Sequence, residues 1–241
     1  MEVIDSFEGS RSILSVRESN GAAFINDPAL AVWEVASVIS SAVIAEWLIV
    51  SAAAFSKLII AIPVTLAFGL MMFSHAVRNE SLRDLGFRLD GFFRALKLLL
   101  IPTIIAAVAF WLIGHRFGGT IDFLRWHGTR PLVLQLGIGF IWGLLQQYVL
   151  QGFINRRLMQ AFGKGWITIV IVALTFSCLH LPNLPVVMIT LFAGLIWAAV
   201  YQRAPNLFAL AVSHSIMTWF VVATLPNQML HHLRVGIGFF G

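Results

Sequence analysis

Apolar residues occur along this chain in blocks that short polar connections separate. A block of about 20 residues lets a helix cross about 30 Å of hydrocarbon. Most blocks have no polar face, which a helix packed on a soluble core would need. The pattern predicts seven membrane-spanning helices, at residues 30–53, 58–77, 95–114, 132–154, 166–182, 185–201 and 207–225. The tail beyond residue 225 is too short and too interrupted to predict an eighth.

Composition agrees with this pattern. Hydrophobic residues make up 59% of the 241 and charged residues 11%, against about 25% charged in soluble domains. The mean hydropathy is +0.88. We therefore predict an all-α, polytopic membrane helical bundle of about seven spans. Residues 1–28 form a polar N-terminal leader without the basic start of a secretory signal, and residues 29–241 form one integral membrane domain.

The distribution of basic residues predicts orientation and partners. The leader and the second, fourth and sixth connections hold most Lys and Arg residues, which favours a cytoplasmic N-terminus. The net charge of +5 is scattered over span ends, so it predicts contact with anionic membrane lipids and no nucleic-acid binding. We expect a protein of a prokaryotic inner (cytoplasmic) membrane. The basic stretch 78–97 is either an amphipathic helix at the interface or a loop.

Carboxylates are unevenly distributed. All 11 Asp and Glu residues lie at or before Asp122, so the last four spans contain none. Those spans cannot form a paired-carboxylate acid–base site or a metal site with a carboxylate ligand. Glu34 is expected near the water interface. Glu46 lies deeper in the first span, and whether it supplies a carboxylate to a site on the fourth span stays open.

Polar residues in the last four spans recur four residues apart. Residues at this spacing share one face of a helix, and such faces usually point into the bundle. They line one interior cavity, or they only bond helix to helix at about 0.6 kcal/mol each. The three pairs are Gln147 and Gln151, Phe176 and His180 in FSCLH, and His214 and Thr218 in HSIMT.

These motifs together resemble a known family. QQYVLQGF, FSCLH and HSIMT, in this order, resemble the EExxxR, FxxxH and HxxxN/D motifs of the CPBP family of intramembrane proteases, which are CAAX proteases and bacteriocin-processing (Abi) proteins. The similarity extends over about residues 78–225. It implies hydrolysis of membrane-associated or lipidated peptides by an activated water. The site that it implies contains Gln146, Gln147, Gln151, His180, His214 and Thr218.

Four of these six residues depart from the family motifs, because glutamine replaces both glutamates and the arginine, and threonine replaces Asn or Asp. A glutamine amide has nearly the shape of glutamate, but it has no charge and takes no proton from water at ordinary pH. A histidine could act as the base instead. Two imidazoles fall short of the three protein ligands of a catalytic zinc site, so we expect no metal and no cofactor.

Two functions remain open from the sequence. The first is a CPBP-type intramembrane endopeptidase with an altered, histidine-centred site. The second is a non-catalytic pseudoprotease that binds a membrane peptide, a lipidated C-terminus or a partner protein. The absence of a carboxylate after Asp122 favours the second on chemical grounds.

Overall fold

The computed structural model describes residues 27–49, 57–125 and 131–240, and every regular element among them is helical. The leader up to residue 26 lies outside the described residues. The helices are α1 (Pro28–Val43, continued by a π-helical turn Ile44–Ile49), α2 (Lys57–Val77), α3 (Leu82–Leu85), α4 (Phe92–Arg116), α5 (Leu132–Gln147, continued by a π-helical segment Tyr148–Asn155), α6 (Arg156–Phe162), α7 (Trp166–Cys178), α8 (Leu184–Arg203), α9 (Leu207–Thr224) and α10 (Asn227–Leu230, followed by 3₁₀ turns His231–Leu233 and Gly236–Phe240).

The predicted all-α, polytopic membrane bundle is confirmed, and the protein is an integral membrane protein. In the described part of the chain, five helical segments are long and apolar enough to cross a membrane, and two further apolar helices are shorter. In chain order they correspond to the seven predicted spans. The five are Pro28–Trp47, Phe92–Arg116, Leu132–Phe162, Leu184–Arg203 and Leu207–Thr224, and the two are Ala61–Val77 and Trp166–Cys178.

The fourth and fifth spans end at different residues than the hydrophobic pattern predicts. The fourth continues through the π-helical segment and α6 to Phe162, rather than ending at 154. The fifth, α7, ends at Cys178 rather than at 182. A helix of 13 residues is about 20 Å long, short of the roughly 30 Å of hydrocarbon. His180 therefore lies in a turn after α7 and not on a helix.

Small residues let the helices that carry the motifs approach closely. At Gly194 on α8, a Cβ would come within 2.9 Å of Ala173 Cα on α7. At Gly143 on α5, a Cβ would come within 3.3 Å of His214 Cβ on α9. These two contacts bring α7 beside α8 and α5 beside α9, and so gather the motif-bearing helices.

The basic stretch 78–97 is mainly the predicted loop with one buried edge up to residue 91, and its last residues belong to α4. It contains one helical turn, α3, closed by reciprocal hydrogen bonds in which Ser81 Oγ accepts from Asp84 N at 3.2 Å and Asp84 Oδ2 accepts from Ser81 N at 2.9 Å. Gly86 ends this turn at φ 100°. Its carbonyl accepts from Leu207 N at 2.9 Å, so the stretch is docked on the start of α9.

A buried cluster of charges joins α1, α2 and α6 at one end of the bundle. We call it the Glu80 cluster and call this end the Glu80 end; its residues are Glu34, Ser74, His75, Arg78, Glu80, Arg156 and Arg157. Arg157 is fully buried and lies 2.7 Å from Glu80 (Nη2–Oε2) and 3.2 Å from Glu34 (Nε–Oε2). Glu34 also pairs with Arg78 at 2.9 Å. The side chain of Glu34 is thus buried among arginines, and its position near the water interface of the membrane stays a prediction.

Glu80, in the turn after α2, is the centre of this cluster. Burial raises the pKa of its carboxyl group, but hydrogen bonds from His75, Arg157 and Arg156 outweigh burial and hold the pKa well below its ordinary value of 4.5. The carboxylate is therefore ionised at neutral pH. It ties α6, which continues the helix bearing the glutamines, to α2.

Candidate functional site

Gln147 and His214 form the centre of the candidate site. Gln147 is the last residue of α5 before the π-helical segment, and its side chain is fully buried. Its Nε2 donates to Nδ1 of His214 on α9 at 3.2 Å. Since an amide nitrogen can only donate, this bond keeps Nδ1 without a proton and the imidazole neutral.

Gln151 has different partners. It is also fully buried, and its Oε1 accepts from Asn155 Nδ2 at 2.8 Å. Asn155 Oδ1 accepts from Gln202 Nε2 at 3.1 Å, and Gln202 Oε1 accepts from Gly165 N at 3.0 Å. This chain of amides runs from Gln151 to the start of α7. Gln147 therefore bonds to another helix and Gln151 bonds within its own helix, although their spacing predicts a shared face.

Both motif histidines contact the ring of Phe176. His180 Nδ1 donates to Phe176 O at 2.7 Å, and the two ring centroids lie 4.9 Å apart. The His214 ring lies 6.3 Å from Phe176 and stacks on Trp197 at 4.5 Å with an angle of 18°. Phe176, Trp197 and the two imidazoles thus form one aromatic group, of which sequence analysis identified all members except Trp197.

Gln146 and Thr218 lie on the same helices as Gln147 and His214. Each is half-buried, Gln146 beside Gln147 on α5 and Thr218 one turn beyond His214 on α9. His180 is also half-buried. Gln146 and Thr218 are thus partly exposed polar neighbours of the buried Gln147–His214 pair along the chain, and His180 shares its contact with Phe176. Gln151 belongs to a separate chain of amides.

Two amide atoms at the glutamines have no hydrogen-bond partner among the described residues. They are Gln147 Oε1, an acceptor, and Gln151 Nε2, a donor, and both are buried. Buried polar atoms are usually satisfied, so each orphan atom calls for an explanation. One unsatisfied acceptor and one unsatisfied donor on adjacent turns match the needs of a water molecule or of a peptide group.

No group of three or more His, Cys, Asp or Glu side chains that could hold a metal occurs in the part of the chain that the structure describes. The candidate site offers two imidazoles and neutral amides. That no metal binds there stays a prediction.

Glu46 lies at the end of the bundle opposite the Glu80 cluster. It packs against Gly236, where a Cβ would come within 3.2 Å of Glu46 Cβ. Gly236 N donates to Leu181 O at 2.7 Å, next to His180, so we call this the His180 end. Helix α1 contacts α6 through its Glu34 half, as the Arg157–Glu34 pair shows. Whether Glu46 provides a carboxylate to the site stays open.

Comparison with known families confirms the predicted resemblance. Residues 128–220 match the family model described as type II CAAX prenyl endopeptidase Rce1-like. This segment contains all three motifs, so the similarity to CPBP-type proteins covers the whole candidate site. The match begins at residue 128, and so does not include the stretch from residue 78 that the motifs and their flanks suggested. No curated protein and no solved structure matches the chain.

Proposed function

We propose that this protein is a non-catalytic CPBP-type membrane protein that holds a membrane-anchored or lipidated peptide without cleaving it. The observation that carries the proposal is the 3.2 Å hydrogen bond from Gln147 Nε2 to His214 Nδ1. In the resembled mechanism a carboxylate stands at this position beside the histidine. Here an uncharged amide donates to the atom that would otherwise take a proton.

The chemistry of the Gln147–His214 pair opposes hydrolysis. A general base must accept a proton from water, and neither glutamine can do so near neutral pH. His214 can protonate Nδ1 only if the Gln147 bond breaks, and the resulting imidazolium would be buried against Trp197 with no carboxylate in residues 131–240 to balance it. Burying an unpaired charge is costly.

The same atoms suit the binding of a peptide. Gln147 Oε1 needs a donor and Gln151 Nε2 needs an acceptor, and a peptide group supplies one N–H and one C=O. Half-buried Gln146, His180 and Thr218 supply further polar contacts at the edge. The family match supports a peptide near the membrane as the ligand. The apolar helices support access of such a peptide to the site from the lipid.

A binding and cleavage assay tests the proposal. The protein, reconstituted in lipid nanodiscs, is mixed with fluorescent peptides that carry prenyl or acyl anchors, and peptide retention and mass are measured together. We expect retention of at least one anchored peptide at unchanged mass. Gln147→Leu should weaken retention by about tenfold, because it removes the Oε1 acceptor proposed to bind the peptide N–H and a lost hydrogen bond costs about 1 kcal/mol.

Gln135→Leu is the matched control, because it makes the same change on α5 at a residue whose Oε1 has no partner in the described structure. It should leave retention unchanged. Accumulation of a cleaved product by the parent protein, abolished by His180→Ala, would instead establish the endopeptidase. Equal retention by both leucine variants would show that the site lies elsewhere.

A further inference from the structure

The C-terminal segment 227–240, which we call the tail, folds back over the turn 179–183 that carries His180. Leu230 on α10 is almost fully buried, and it joins a small apolar cluster separate from the main core. The buried members of this cluster are Val186, Val221, Leu225 and Leu230. The tail is therefore anchored on the first turns of α8 and on the last turns of α9.

Asn183 clamps the tail to the turn. Its side chain is fully buried, and Nδ2 donates to Leu230 O at 2.8 Å and to Arg234 O at 2.9 Å. Its Oδ1 accepts from Val186 N at 3.4 Å and so caps α8. One side chain thus fixes both the start of α8 and two points of the tail.

Gly236 is the second anchor. Its N–H donates to Leu181 O at 2.7 Å, and its backbone packs against Glu46. Gly236 has a φ of +56°, and a Cβ there would come within 3.2 Å of both Glu46 Cβ and Glu46 O. A glycine is therefore favoured both by the backbone conformation and by the close approach.

The stretch between the two anchors is strained. His231, His232 and Leu233 have φ values of 46°, 55° and 59°, and left-handed conformations in consecutive non-glycine residues are unfavourable. Both histidines are exposed. Strain of this kind persists only where the surroundings hold it, so release of either anchor favours opening of the whole tail.

We propose that the tail is a lid over the His180 end of the bundle, and that its opening admits a peptide to the Gln147–His214 pair. This lid rests on the proposed function for its purpose, but its opening can be measured without any peptide. Backbone at the depth of a membrane must be covered or must line a cavity. The tail covers the turn 179–183, which contains His180.

A buried cysteine reports on the opening of the lid. Cys178→Ala removes the single cysteine of the chain. Leu230→Cys then places one thiol on the tail, at a position that is buried while the tail is closed. In detergent, labelling of this thiol by a water-soluble maleimide measures how often the tail opens. Gly236→Ala should speed labelling about tenfold, because the added Cβ must displace the tail from Glu46. The matched control is Gly238→Ala, where a Cβ would meet nothing within 4 Å.

Asn183→Asp provides a second, independent variant. It keeps the oxygen that caps α8 but removes the two N–H donors to the tail, so it should also speed labelling. The second measurement is made on the same variants with Leu230 kept, and it is the rate at which a fluorescent anchored peptide associates with each of them. This association rate should rise together with the labelling rate.

Unchanged labelling in both Gly236→Ala and Asn183→Asp would overturn the lid. Faster labelling with an unchanged association rate would overturn its control of entry. If the parent protein retains no anchored peptide, the proposed function fails, and the labelling rates still decide whether the tail opens.

Discussion

Arg157 offers a quantitative test of how the site helix is fixed. Its guanidinium is fully buried and contacts the carboxylates of Glu80 and Glu34 at 2.7 and 3.2 Å. Arg157→Met keeps most of the side-chain volume and removes the charge. Glu80 retains Arg156 and His75 as partners, and Glu34 retains Arg78.

Removing one partner of a buried ion pair costs about 3–5 kcal/mol, because the other charge stays buried and uncompensated. The remaining partners place Arg157→Met near the lower end, about 3 kcal/mol. The matched control is Arg83→Met, whose pair with Asp90 is 3.2 Å long but has side chains 71% and 54% exposed. An exposed pair of this kind contributes less than about 1 kcal/mol.

Unfolding in mixed micelles, followed by circular dichroism against the SDS fraction, measures both variants and the parent. We expect Arg157→Met to lose far more stability than Arg83→Met. Adding Glu34→Gln to Arg157→Met should lower stability further, because it leaves the buried Arg78 without its carboxylate partner. Equal stabilities of the two single variants would refute the reasoning, as would a double variant more stable than Arg157→Met.

Three further predictions concern pH, catalysis and metal. The pKa of Glu80 is lower in the folded protein, so its contribution to stability should be complete above its ordinary pKa of 4.5 and should fall at lower pH. In Glu80→Gln, the free energy of unfolding should therefore change less between pH 6 and about pH 3 than it does in the parent protein. Restoring the family residues should lower stability by about 2.5–3.5 kcal/mol for each glutamate when the two glutamates are added alone. Adding the arginine should recover stability, and only the full variant should cleave anchored peptides. A full variant less stable than the glutamate pair alone would contradict the expected pairing of positions 147 and 151. The substitutions are Gln146→Glu, Gln147→Glu, Gln151→Arg and Thr218→Asn. Metal analysis of the purified protein should find zinc well below one atom per chain, and stoichiometric zinc that disappears in His180→Ala would show that the two imidazoles do bind it.

The sequence by itself determined the fold class, the resemblance to a family and the order of the helices. Apolar blocks of membrane length leave a helix as the structure that satisfies its own backbone, so the number and order of the apolar helices follow from composition and block length, although the ends of the fourth and fifth do not. The three motifs indicated the resemblance over the segment that the family model matches, because they depend on residue type and local spacing. The chemical consequence of an amide in place of a carboxylate also follows from residue type.

Tertiary structure decided which residues meet. Gln147 and Gln151 are four apart, yet Gln147 bonds to His214 on α9 and Gln151 to Asn155 on its own helix. Local spacing does not identify a partner on another helix, such as His214. The burial of Arg157 against Glu34 joins residues far apart in the chain, and a basic span end gives no sign of it. The contact of Asn183 with the tail likewise depends on how the chain returns over α8. Long-range contacts of this kind arise only when the whole bundle packs.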